Sequence, residues 1–137
     1  MARSVDSRTR VRYQETDQMG IVHHANYIVW FEIGRTDLCR ETGFTYRQIE
    51  DRGLILVVTE VNCRYRAPYH YDDEVLIRTC ITEAVSRAMT FGYELLDGSG
   101  ERVHATGYSK HVWVDRGTRR PTLADEEVMK AFAPFLP

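Results

Sequence analysis

Asp17, Gly20 and His24 stand in the stretch YQETDQMGIVHHANYIVWFE, Tyr13 to Glu32, which opens as a polar loop and ends in an apolar helical pattern. Asp17 and His24 are seven positions apart (24 − 17), with the glycine between them. A glycine there permits a tight reversal at positive φ, or a close backbone approach to a ligand. The loop can thus return Asp17 to the first turn of the helix, whose unpaired N–H groups around His24 to Asn26 form a partial positive pole. Such a pole can hold the oxygen of a carbonyl becoming tetrahedral, while a carboxylate attacks the carbon or deprotonates a water. Histidine is the side-chain type that titrates nearest neutrality, and His24 can orient that water or share its proton.

Plainer readings stand beside this one. An aspartate ahead of a glycine is ordinary turn chemistry. The His23-His24 pair, with Asp17, His70, His104 and His111, supplies possible metal ligands. Adjacent side chains diverge, however, and the chain has no HxxxH or HExxH spacing, so no metal is implied. Asn26 reads as a helix cap. Glu32 has Arg35 and Thr36 one turn on, the spacing of an ion pair on a helix surface or a dimer seam.

Alternation predicts a short strand over Arg8 to Tyr13, with Val11 and Tyr13 on one side. Helical spacing of Tyr27, Trp30, Phe31, Gly34 and Leu38 predicts a helix from Asn26 to Thr42, stopped by Gly43. After a hinge at Glu50 to Gly53 the period becomes two. Strands are predicted from Leu54 to Ala67, from Glu74 to Ala84, through Met89 to Leu95, and from Arg102 to Val114. The stretch DGSG, Asp97 to Gly100, marks a hairpin. Thr122 with Asp125 resembles a capping box before a last short helix, and Pro134 marks its end. The fold class is α+β: one domain over 1–137, a curved antiparallel five-stranded sheet around a long helix. Its open edges invite pairing with a second copy.

The chain has 137 residues, of which 43% are hydrophobic, and a formal net charge of −2. This balance gives no global attraction to nucleic acid. No apolar run approaches the ~20 residues of a membrane span, and the N-terminus has no apolar signal-peptide core. Cys39, Cys63 and Cys80 form no CxxC pair, which fits reduced thiols in a cytoplasmic protein.

The segment YQETDQMGIVHHANYIVWFEIGRTDL resembles the active-site segment of hot-dog acyl-CoA thioesterases, in the 4-hydroxybenzoyl-CoA thioesterase and YbgC-like branch. The matching positions are Tyr13, Thr16-Asp17, Gly20, Val22, His24, Asn26-Tyr27, Phe31-Glu32 and Arg35. The stretch CRYRAPYHYDDEV, Cys63 to Val75, is similar to the family's second strand and following turn. The likeness runs from about Arg8 to Val114.

The resemblance implies a hot-dog fold that dimerises into one continuous sheet and commonly pairs again into tetramers. It implies that Asp17 is the catalytic carboxylate, as nucleophile or general base, and that the His24 N–H polarises the thioester carbonyl. The His24 imidazole matches the YbgC-like side, whereas His23 departs from the aromatic residue that relatives often carry. Gly20 and Tyr27 would contact substrate. Ser86 and Arg87 would meet the nucleotide end of coenzyme A, with Arg64, Arg66 and Lys110 as further cations. Tyr27, Trp30 and Phe31 could line an acyl slot or simply be core. Glu32 matches the helix acid of another hot-dog branch, and Asp17 already fills that role. No cofactor is implied, since coenzyme A belongs to the substrate.

The expected reaction is hydrolysis of an acyl-CoA or acyl-carrier-protein thioester to free acid and thiol. The alternatives are a hot-dog hydratase or dehydratase, whose acid and histidine motifs are placed differently, and a non-catalytic acyl-thioester binding protein.

Overall fold

The computed structural model describes residues 3–85 and 87–137. Ser86 lies outside the described residues. The strands are β1 Val5–Arg10, β2 Leu54–Tyr65, β3 Glu74–Val85, β4 Ala88–Asp97 and β5 Val103–Asp115. They form one antiparallel sheet in the order β1-β3-β4-β5-β2. Strands β3, β4 and β5 are consecutive in the chain and pair antiparallel. At Asp97 to Gly100 the Asp97 carboxylate accepts the N–H groups of Glu101 and Arg102, each at 3.0 Å, and Gly100 takes φ 78°.

Helix α1, Ala25–Thr42, crosses the concave face and buries Tyr27, Trp30, Phe31, Gly34, Leu38 and Cys39. These positions form a stripe at helical period, as the sequence predicts. Gly43 ends the helix at φ 99°. The helix comes nearest the sheet at Gly34, where a Cβ would stand 2.1 Å from Thr79 Oγ1 and 2.8 Å from Ile77 Cγ2. Phe31 stacks on Tyr93 with centroids 4.2 Å apart.

Several predicted boundaries move, each for a physical reason. Strand β1 starts earlier than Arg8 and stops at Arg10, which pairs with Glu74, the first residue of β3; Val11 beyond it bonds to the turn before β3, donating to the Asp73 carbonyl at 2.9 Å and accepting the Asp72 N–H at 3.1 Å. Tyr13 instead opens a 3-10 turn, Tyr13–Glu15, and is 77% exposed. The first two residues of the predicted hinge, Glu50 and Asp51, instead end a helix, α2, Tyr46–Asp51. Its capping box is formed by Thr45 and Gln48, which exchange bonds of 2.9 and 3.2 Å. Before helix α3, Glu126–Phe132, the cap is Asp125, which accepts the Val128 N–H at 2.9 Å. Thr122 Oγ1 accepts no helix N–H among the described residues, and its own N–H donates to the Trp113 carbonyl at 2.8 Å. Pro134 lies in a 3-10 turn, Ala133–Phe135, that prolongs α3.

A polar chain lies inside the core. Tyr93 Oη is 2.6 Å from Ser109 Oγ, which is 2.7 Å from His111 Nε2. Burial, aided by the Arg35 cation, lowers the His111 pKa to about 4. Burial also pushes the Cys39 thiol up to about 12. Arg35 is half-buried beside Tyr93 and Tyr46, and the predicted Glu32–Arg35 ion pair is absent among the described residues. Glu32 is exposed.

Candidate active site

The loop before α1 is a closed hairpin of local bonds. Asp17 Oδ1 accepts the Met19 N–H at 2.8 Å, the aspartate's usual way of making a turn. The Asp17 N–H donates to the Ile21 carbonyl at 2.9 Å, and the Gly20 N–H to the Asp17 carbonyl at 3.0 Å. Gly20 takes φ 78°, the reversal that its position predicts. Thr16 then bridges to Val22, which returns the chain to the helix start.

Glu15, which sequence reasoning missed, anchors that loop from below. Its carboxylate accepts the Arg12 N–H at 2.7 Å and the Trp30 Nε1–H at 3.2 Å. Its carbonyl accepts the His23 N–H at 2.8 Å and the Asn26 side-chain amide at 3.0 Å. Asn26 is therefore a loop tie and not the predicted cap. His24 holds the N-cap position and makes no side-chain cap bond.

The amides of the first turn are unequal. The Ala25 N–H donates to His23 Nδ1 at 3.2 Å. Those of Asn26 and Tyr27 donate to the carbonyls of His23 and His24 at 3.0 and 3.3 Å. The His24 N–H has no acceptor among the described residues. His23 stacks on the His24 imidazole with centroids 4.4 Å apart.

The end of β2 forms the facing wall. Tyr65 Oη donates to the His24 carbonyl at 3.0 Å, and its ring meets Tyr27 edge-on at 4.8 Å. Burial raises its phenol to about 12, so it stays a proton donor near neutrality. Between loop, helix start and wall lies a cavity of about 350 Å³. Its lining is mostly apolar, from Met19, Ile21, Val22, Tyr27, Tyr65, Ala67 and Pro68, and its polar groups come from Asp17, His24 and Arg66. One enclosure thus brings together Asp17 and His24, whose N–H has no acceptor among the described residues.

Of the predicted site residues, Asp17, His24 and Tyr27 share this cavity. Gly20 shapes the loop without lining it. Trp30 and Phe31 are core, 1% and 0% exposed. Ser86 falls on the undescribed position. Arg87 does not line the cavity: its carbonyl accepts the Trp113 N–H, whereas Tyr65 pairs with Ala105. Eight residues of β5 (113 − 105) separate those points, about 27 Å along a strand. Arg64 and Arg66 are not strand-face neighbours, because β2 ends at Tyr65 and Arg66 turns to the cavity. Lys110 is occupied by Glu60 at 3.9 Å. Among the described residues no three His, Cys, Asp or Glu side chains converge as a metal would need.

A family model, the thioesterase-like superfamily, matches residues 11–132. The chain is 41% identical over 112 residues to the protein YneP of Bacillus subtilis (strain 168), covering 81% of this chain and 80% of that one. It is 32% identical over 124 residues to the acyl-CoA thioesterase YbgC of Haemophilus influenzae, covering 90% of each. The crystal structure of a DHNA-CoA thioesterase from Staphylococcus aureus superposes with a TM-score of 0.89 at 28% identity, covering 95% of this chain and 89% of that one. With this fold and this coverage, the chain belongs to the thioesterase-like superfamily, as a YbgC-like member with the hot-dog fold.

Proposed function

We propose that this protein hydrolyses acyl-CoA thioesters to a free acid and the coenzyme A thiol, at the cavity between Asp17 and the start of α1. The observation that carries the reading is that Asp17 and His24, whose N–H has no acceptor among the described residues, line one cavity. The thioester carbonyl oxygen takes the His24 N–H, which strengthens as charge develops on that oxygen. Asp17 acts as nucleophile or as general base. In the second case its carboxylate takes a proton from water, and the hydroxide adds to the carbonyl carbon. The tetrahedral oxyanion then collapses, the C–S bond breaks, and the sulfur leaves with the electron pair and receives the proton. Asp17 Oδ1 is committed to Met19, so Oδ2 is the oxygen assigned to the chemistry. The His24 imidazole orients the water, and Tyr27 with Tyr65 flanks the acyl group.

Arg66, at the rim and without an ion-pair partner among the described residues, suits the phosphates of coenzyme A or of a carrier-protein phosphopantetheine. Among the described residues strand β2 has only the strand β5 beside it in the sheet, and it carries exposed Val57, Val58 and Val61 on its length. We assign that edge to pairing with a second copy, as a dimer or a dimer of dimers. Antiparallel pairing would set the Arg87 end of one copy beside the Tyr65 end of the other, which reconciles Arg87 with the site. The reaction needs no cofactor or metal. The three free cysteines suit a cytoplasmic setting, and no described helix is long and apolar enough to cross a membrane.

The test is thiol release by the purified protein over acyl-CoA substrates of graded length, aryl as well as alkyl. Free thiol in step with acid supports the reading. Loss of enoyl absorbance without thiol would instead make it a hydratase, and binding without turnover a carrier.

A further inference from the structure

His104 lies outside the machinery described so far, yet it touches the back of the cavity wall from three directions. The β4–β5 ladder runs Leu95 to Ala105 and then Leu96 to Val103, so His104 is an extra residue with no β4 partner. Such a bulge frees backbone groups and re-aims a side chain. The freed His104 carbonyl accepts the N–H groups of Arg66 and Ala67 at 2.8 and 3.1 Å. Its Nδ1 stands 3.3 Å from the Ala67 carbonyl oxygen and 3.1 Å from that of Pro68. Carbonyl oxygens only accept, so Nδ1 carries a proton and is shared between them. The ring lies flat on Tyr69, with centroids 3.9 Å apart and 7° between planes. The Tyr69 carbonyl in turn takes the Val22 N–H at 2.9 Å.

Ala67 and Pro68 form one side of the cavity and Val22 another. Both residues of the first wall lie past the end of β2, where no strand ladder holds them, and proline has no N–H to offer one. We infer that His104 is a positioning residue for the hydrolysis, a clamp from the β5 bulge whose Nδ1–H fixes the Ala67-Pro68 wall against which the acyl group is held. The inference rests on the acyl-CoA hydrolase reading of this cavity. His104 is 6% exposed, so water does not easily take the place of this donor.

A wall that touches the acyl group before and during reaction contributes uniform binding, which appears in KM and not in kcat. The discriminating pair is His104→Asn and His104→Gln. Both lose the stacked ring, but the asparagine amide N–H reaches the place of Nδ1 and the glutamine amide passes beyond it. We expect KM for an acyl-CoA within about twofold of wild type in His104→Asn, and raised about tenfold in His104→Gln. Their kcat values should agree within about twofold, with matching circular dichroism. Equal KM in the two variants would overturn the inference, as would a loss carried by kcat. Loss of folding in both would also overturn it, because the role would then be to hold the core. An inactive wild type would fault the hydrolase reading itself, which separates the two failures.

Discussion

Asp17 sits in a turn that it helps to make, and this dual use governs what a substitution does. Asparagine keeps the oxygen that receives the Met19 N–H but cannot serve as a base or a carboxylate nucleophile. The loop should therefore survive Asp17→Asn while the chemistry does not. His24 divides differently, because its N–H belongs to the backbone. His24→Ala should lose about tenfold in kcat, less than the Asp17 variant, because the amide donor remains. A fully active His24→Ala enzyme, measured by thiol release, would remove the imidazole from the mechanism and leave the amide in it. The Gly20 reversal and the nearness of Asp17 to the start of α1 were legible in the sequence because turn and helix start are local. Glu15 and Tyr65 were not. Their partners, Trp30 and His24, stand 15 and 41 positions away, and no spacing rule carries that information.

At the scale of elements, α1 positions the site and Gly34 lets it lie close to the sheet. An added methyl would meet Thr79 and Ile77, which are themselves fully buried. Gly34→Ala gains helix propensity but overpacks the core, and should destabilise the fold by about 1–3 kcal/mol. Urea unfolding would show a lower midpoint at unchanged slope, and an unchanged midpoint would mean that the helix can move aside. The sequence announced α1 and the four later strands because their periods run for ten residues or more. Helix α2, with six residues, is too short to display a period. The end of β1 and the cap of α3 were set by β3 and by Arg52, which binds Asp125 at 3.1 Å, so tertiary contacts decided what local pattern could not.

At the scale of the molecule, two properties follow from the same architecture. The open β2 edge calls for a partner, and sedimentation equilibrium should find a dimer or a tetramer; a monomer at micromolar concentration would contradict that assignment. The buried polar chain makes stability depend on pH. His111 is neutral in the fold, with a pKa near 4, against about 6.5 in an unfolded chain. The unfolded state binds its proton first as pH falls. The contribution is thus present above about pH 6.5 and is lost progressively down to about pH 4. Between about pH 7 and 5 this group alone should cost about 2 kcal/mol. A His111→Gln variant should show a correspondingly flatter decline in denaturant unfolding, and parallel curves would relieve His111 of that role.

The most direct measurement is single-turnover thiol release from one acyl-CoA by wild-type protein and by Asp17→Asn at matched folded concentration. We predict a rate lower by about 10²–10⁴ in the variant, with the same oligomer size and unfolding midpoint. Equal rates would mean that the carboxylate at the mouth of α1 is only a turn, and that the thioester is opened elsewhere.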